Sequence, residues 1–252
     1  MIISLKNSIP SILTLLNLFS GCMAILLSFH DIALAGLMVF LAGFFDFADG
    51  LAARILDAYS DFGKELDSLA DIVSFGVAPA FILFHLIHAT LIIENPWFSL
   101  DTITALETII LLSAFLPVIF SAIRLARFNV MDSKGNFFTG LPTPAAGIFF
   151  ASLGYIFFTE GQGWITDSLF NTVVLVAMSI CISLLMVSPV PMFTIKFKRF
   201  GLTGNLVRYL FLIPSLLFMI FWGLKAVPAI IIYYILLSVA LALIPGKRVM
   251  EK

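Results

Sequence analysis

The chain has 252 residues, 61% of them hydrophobic and only 12% charged, with mean hydropathy +1.12 and a formal net charge of −1. A soluble domain carries about 45–50% apolar and about 25% charged residues, and a globule of this length cannot bury so much apolar surface. The composition excludes a soluble protein and predicts an all-α, polytopic integral membrane bundle, while the absence of a basic run or aromatic–basic interleaving speaks against nucleic acid as a partner.

A membrane span needs about 20 mainly apolar residues. Eight such stretches follow one another, at about 9–29, 32–56, 66–93, 103–127, 141–159, 168–188, 205–223 and 227–245. Only Lys6 precedes the first, with no clear small-residue cleavage pattern, so it reads as a retained helix. Cys22 lies in this first run and Cys181 in the sixth; both read as small core residues rather than as a disulfide or zinc pair. His30-Asp31 separates the first two spans, and Glu94-Asn95-Pro96-Trp97 ends the third. His85 and His88 lie deep in that third span and read as packing or interfacial residues. Asp132-Ser-Lys-Gly-Asn136 makes a polar turn after the fourth span, and Glu160-Gly-Gln-Gly163 follows the fifth. Pro142, Pro144, Pro189, Pro191 and Pro228 fall near helix ends, where proline is tolerated. The stretch 191–204 mixes aromatic and apolar side chains with Lys196, Lys198 and Arg199, as an interfacial segment on an anionic leaflet does. The whole reads as one membrane-embedded domain over 1–252, with core helices at about 9–188 and additional C-terminal helices at about 205–245.

Orientation follows from Lys and Arg, which concentrate on the cytoplasmic side. With both termini inside, Lys225 alone of the 14 cations falls outside. The protein is thus expected in the cell membrane, with the loop at about 57–62 facing the cytoplasm.

That loop joins the most informative stretch, Asp46-Phe-Ala-Asp49-Gly50-Leu-Ala-Ala53-Arg54, eight residues, then Gly63-Lys-Glu-Leu-Asp67-Ser-Leu-Ala-Asp71. A charged side chain inside a membrane helix costs roughly 2.5–3.5 kcal/mol on insertion scales. Four together rival the roughly 5–15 kcal/mol net stability of a domain, so they need neutralising. Residues three and four apart share a helix face. Asp46, Asp49, Gly50 and Ala53 therefore line one stripe that Asp57 is expected to continue, and Asp67 and Asp71 share another. Antiparallel packing brings these carboxylates together beside small residues that leave room for a ligand. Oxygen ligands without His or Cys suit Mg²⁺, Mn²⁺ or Ca²⁺ rather than zinc. Four carboxylates exceed what one Mg²⁺ takes and suit a two-ion site for phosphoryl displacement. Arg54 could bind phosphate as a fork or pair with Asp57 or Glu65. The bland alternative is a buried charge network that only ties two helices.

These residues resemble the signature of the CDP-alcohol phosphotransferase family, with every fixed position filled. The resemblance implies membrane helices, two divalent ions (Mg²⁺ or Mn²⁺, with Ca²⁺ as an alternative bound or inhibitory ion) and transfer of a substituted phosphate from a CDP-linked donor to an alcohol, releasing CMP. Further runs are similar to the branch of the family that uses CDP-diacylglycerol and L-serine: Ile9-Pro-Ser-Ile-Leu-Thr14-Leu-Leu-Asn17-Leu-Phe-Ser-Gly21, Glu65-Leu-Asp-Ser-Leu-Ala-Asp-Ile-Val-Ser-Phe-Gly-Val-Ala-Pro79, Arg124-Leu-Ala-Arg127-Phe-Asn129 and Thr139-Gly-Leu-Pro-Thr-Pro144. This similarity covers roughly the first 150 residues. It implies a homodimer among membrane lipids.

By resemblance, Asp46, Asp49, Asp67 and Asp71 hold the metals, and Asp71 is also the general base. Thr14, Asn17, Gly50, Ala53, Arg54, Gly63 and Ser68 are nominated for the nucleotide. For Thr14 and Asn17 the alternative is hydrogen bonding between helices. Arg124, Arg127, Phe128 and Asn129 are nominated for serine, whose carboxylate needs a cation; the alternative for the Arg pair is anchoring at the inner face. Two rival functions remain open: a family member using glycerol-3-phosphate or inositol phosphate, and a cation or proton transporter with membrane aspartates as a relay.

Overall fold

The computed structural model describes residues 5–95, 103–131, 139–160, 168–193 and 205–243. Helices α1 (Leu5–Ser28) and α2 (Ile32–Ile55) form an antiparallel pair. Asp31 starts α2 by accepting a hydrogen bond from the Leu34 amide, 2.9 Å, so the expected polar break is a helix cap. Helix α3 (Asp61–Asp71), capped by Ser60, runs through a π-helical turn (Ile72–Val77) into α4 (Ala78–Glu94). Helix α5 (Ala105–Leu112) opens with a capping box between Thr104 and Glu107 and passes through a 3₁₀ turn (Ser113–Phe115) into α6 (Leu116–Met131). Helices α7 (Thr143–Thr159) and α8 (Thr172–Val187) follow. Helix α9 (Leu206–Trp222) leads through a 3₁₀ turn (Gly223–Ala226) to α10 (Val227–Leu243).

Among the described residues the secondary structure is helical apart from one bridge between Thr139 and Pro191. By length and composition, five stretches suffice to cross a membrane: Ser8–Ser28, Ile32–Ile55, Asp61–Glu94, Ala105–Val130 and Leu206–Leu243. The sequence predicts eight. Helices α7 and α8 have 17 and 16 residues, and the last two predicted spans fall within Leu206–Leu243. That stretch doubles back on itself. Phe211 stacks on Tyr233, with ring centroids 5.9 Å apart, whereas a straight helix would hold positions so distant about 30 Å apart. The reversal falls at Gly223, whose φ of 57° favours glycine.

Helices α4 and α7 occupy the centre. Phe75, Ile82, Leu83, Leu86, Ile87, Phe150 and Leu153 are fully buried there. The π turn fits closely into this core. A Cβ on Gly147 of α7 would come within 2.7 Å of the Phe75 backbone, so only glycine lets the two helices approach this near.

Three expectations need correcting. Cys22 and Cys181 are exposed rather than in the core. An apolar stretch does not reveal which side faces the protein, because a lipid-facing surface is as apolar as a core. Asp57 does not continue the α2 stripe. The helix ends at Ile55, the Ala58 and Asp57 amides return to the Ala53 and Arg54 carbonyls, and Asp57 takes a left-handed φ of 49°. This is a Schellman ending with aspartate where glycine is usual. The third predicted span, set to begin at 66, begins at Asp61, because Ser60 caps it by accepting from the Gly63 amide.

The predicted turn at 132–136, the cations Lys134, Lys196, Lys198, Arg199, Lys247, Arg248 and Lys252, and most of the segment 191–204 lie outside the described residues.

Candidate active site

Two helix ends and one short loop build the site. The Schellman ending turns the chain sharply after α2, and the Ser60 cap starts α3 only a few residues later. The acids of α2 and α3 are therefore brought to one end of the bundle. Carboxylate oxygens of Asp46, Asp49 and Asp67 lie within 4.8 Å of one another. At that spacing each ionised pair repels by on the order of 3 kcal/mol for an effective dielectric of about 20. Asp49 is buried, and one oxygen of Asp67, Oδ1, is buried with no hydrogen-bond partner among the described residues. A buried, unpartnered carboxylate oxygen on a member of a group of three carboxylates calls for a cation. The all-oxygen donor set fits a hard divalent ion.

Asp71 stands one helical turn beyond Asp67 and is not in that group of three. It is buried, and its Oδ1 accepts a long hydrogen bond from Asn17 Nδ2, 3.4 Å. Asn17 is itself fully buried, and its backbone carbonyl accepts from Ser74 Oγ in the π turn, 2.9 Å. Three residues earlier on α1, Thr14 Oγ1 donates to Asp49 Oδ2 at 2.6 Å. Helix α1 thus supplies one polar side chain to each of two acids. Thr14 and Asn17, nominated for a nucleotide, here bond between helices, the alternative already set beside that nomination.

The remaining nominated residues divide. Gly50 has open space where a Cβ would sit, with nothing within 4 Å, although glycine inside a helix costs about 1 kcal/mol relative to alanine. The protein's own packing does not require it. Ala53 is half-buried and Arg54 is exposed at the end of α2; among the described residues no ion pair joins Arg54 to Asp57 or Glu65. The Gly63 amide is taken by the Ser60 cap. Ser68 joins the other side of the site: its Oγ accepts from Asn129 Nδ2 at 3.0 Å, linking α3 to α6.

A small cleft of about 180 Å³ lies between these helices, lined by Lys64, Asp67, Ser68, Asp71, Arg124, Leu125, Phe128 and Asn129. Three of the four residues nominated for serine line it. Arg127 does not, and it is exposed on α6. Arg124 Nη1 donates to Thr143 Oγ1 of α7 at 3.3 Å, while its Nε is buried with no partner among the described residues. Sequence reasoning assigned no role to Lys64 or Thr143. Lys64 could have been found from its place one turn before Asp67 and Ser68, on the same face. Thr143 could have been found from its place in the Thr139–Pro144 run.

That run is held by its backbone. The Gly140 amide donates to the Val190 carbonyl at 2.9 Å, and the Leu141 amide donates to the Leu185 carbonyl at 3.1 Å near the end of α8. Gly140 has φ 77°, and a Cβ there would come within 2.2 Å of the Met186 carbonyl oxygen, so no other residue fits. The start of α7 is thereby fixed beside α6.

Residues 7–185 match the model of the CDP-alcohol phosphatidyltransferase family. The chain is 38% identical over 152 residues to the CDP-diacylglycerol–serine O-phosphatidyltransferase of Bacillus subtilis, a match covering 60% of this chain and 77% of that protein. It is 37% identical over 141 residues to the protein of that name from Methanocaldococcus jannaschii, covering 56% of this chain and 57% of the relative. Archaetidylserine synthase of Methanothermobacter thermautotrophicus is 36% identical over 149 residues, covering 58% of this chain and 57% of the relative.

Proposed function

The chain belongs to the CDP-alcohol phosphatidyltransferase family, and from that premise we propose that it transfers a phosphatidyl group from CDP-diacylglycerol to the hydroxyl of L-serine, giving phosphatidylserine and CMP. One observation carries the choice of acceptor. A single small cleft is lined by the acids Asp67 and Asp71 on one side and by Arg124 and Asn129 on the other. A zwitterionic alcohol needs both: a base near its hydroxyl and a cation near its carboxylate. The relatives named for serine transfer support the same reading.

Asp46, Asp49 and Asp67 would hold a divalent cation, Mg²⁺ or Mn²⁺, and with Asp71 the four carboxylates suffice for two ions. When bound, the metal neutralises charge on the donor diphosphate and on departing CMP. The protein's own residues do the rest. Thr14 orients Asp49 through its hydroxyl. The space beside Gly50 admits the donor close to the α2 backbone. Asp71 takes the proton from the serine hydroxyl as the serine oxygen bonds to phosphorus and the bond to CMP breaks. A general base must reach that proton directly or through one water, and Asn17 holds Asp71 in place. Arg124 binds the serine carboxylate. The cluster offers no evident nucleophile of its own, so transfer is direct and inverts configuration at phosphorus. Retention in a chiral-phosphate donor would reject direct transfer.

The site faces the cytoplasm in this reading, in a single domain with eight crossings and both termini inside, working as a homodimer in the cell membrane. The test is CMP release by purified protein in lipid vesicles. Release should require CDP-diacylglycerol, Mg²⁺ or Mn²⁺, and L-serine together. Release with glycerol-3-phosphate in place of serine would move the protein to another acceptor.

A further inference from the structure

We propose that Thr143 is a positioning residue for acceptor recognition: it holds Arg124 by Nη1 and so presents the Nε–Nη2 edge of the guanidinium to the acceptor carboxylate. This rests on the serine reading above and adds a residue and a binding mode to it.

Arginine binds carboxylates best through two parallel N–H groups, and its planar fork has only a few edges from which to do so. One hydrogen bond selects among them here. Arg124 Nη1 donates to Thr143 Oγ1 at 3.3 Å. Thr143 is fully buried, so water does not compete for its oxygen. Meanwhile Arg124 Nε is buried and unpartnered among the described residues, although the side chain lines the cleft beside Asp71. A buried donor of a charged group left without an acceptor is costly, and such groups mark an absent partner. A carboxylate on the Nε–Nη2 edge supplies that acceptor.

Thr143 can do this because its position does not depend on Arg124. It begins α7 immediately after Pro142, and the preceding Gly140 and Leu141 are tied by their amides to Val190 and Leu185. The end of α8 therefore sets where Thr143 sits, and Thr143 sets which edge of Arg124 is free.

The experiment compares Thr143→Val, which keeps the shape and removes the acceptor oxygen, with Thr143→Ser, which keeps the oxygen, and with Arg124→Gln. KM is measured for L-serine and for serinol, an acceptor alcohol lacking the carboxylate. Thr143→Val should raise the L-serine KM about tenfold, as loss of a hydrogen bond to a charged group does. It should leave serinol and CDP-diacylglycerol KM unchanged, and Thr143→Ser should restore the native value. Should Thr143→Val fail to fold, Thr143→Ala takes its place with the same expectation. An unchanged L-serine KM in Thr143→Val alongside a raised one in Arg124→Gln overturns this inference alone. So does an equal loss on L-serine and serinol. An unchanged L-serine KM in Arg124→Gln overturns the carboxylate role of Arg124 itself.

Discussion

Thr14 and Asp49 sit 35 positions apart, yet the threonine hydroxyl reaches the buried carboxylate at 2.6 Å and ties α1 into the acid cluster. The same hydroxyl lies 3.1 Å from the Pro10 carbonyl, but its one proton favours the charged and closer oxygen. This bond occupies one oxygen of the Asp49 carboxylate and fixes its orientation.

Thr14→Val should therefore weaken metal use rather than abolish chemistry. Outer partners of metal ligands typically matter by about 10–100-fold in affinity. The Mg²⁺ concentration for half-maximal activity should rise at least tenfold on that scale, with the rate at saturating Mg²⁺ little changed. Thr14→Ser should be close to native, as a titration of activity against Mg²⁺ would reveal.

Asp71→Asn should lower kcat by about 10²–10⁴, the range associated with general acid–base catalysis. Asp46, Asp49 and Asp67 remain to hold a cation against the donor diphosphate, so CDP-diacylglycerol should still bind. Steady-state kinetics with an equilibrium binding measurement separates the two. Equal loss of binding and rate would assign Asp71 to the metal alone.

The two arginines of α6 should behave differently. Arg124 lines the cleft and Arg127 is exposed outside it. Arg124→Ala should raise the L-serine KM by roughly 10–100-fold, the equivalent of losing a charge-assisted pair, with the CDP-diacylglycerol KM little changed. Arg127→Ala should change the L-serine KM less than about threefold, in line with the small effects of most exposed substitutions. Equal effects at both positions would contradict the cleft geometry.

The C-terminal hairpin makes a prediction about stability. Pro214 inside α9 has no amide hydrogen, so the Leu210 carbonyl lacks its usual helical donor. The Tyr233 hydroxyl of α10 donates to that carbonyl at 2.8 Å. An unsatisfied backbone carbonyl is costly in lipid, so Tyr233→Phe should lower thermal stability by about 1–3 kcal/mol. In a Pro214→Ala background the helix supplies its own donor, and the same change should cost little. A double-mutant cycle read by thermal unfolding in lipid nanodiscs measures that coupling.

Much of the architecture was legible because apolar length is a strong signal. The predicted boundaries of α1, α2, α7, α9 and α10 fall within a few residues of those observed. The acids of α2 and α3 were legible as well, because helical spacing alone places Asp46 with Asp49 and Asp67 with Asp71 on shared faces. Boundaries failed where an N-cap or a Schellman ending intervened. Ser60 starts α3 before its apolar run does, and Asp57 leaves the helix it was expected to extend. The two cysteines were misread because apolar surroundings are the same in core and in lipid.

By itself, the sequence determined that the chain is a helical membrane protein of this family and that Asp46 with Asp49, and Asp67 with Asp71, share helix faces. Period and composition are local properties, and they survive without knowledge of partners. Only the tertiary structure decided which groups meet across helices: Thr14 with Asp49, Asn17 with Asp71, Ser68 with Asn129, and Thr143 with Arg124. Those contacts depend on how close two helix backbones approach and on a loop fixed by Gly140. Such distances arise from packing between segments remote in the chain, which no local pattern encodes.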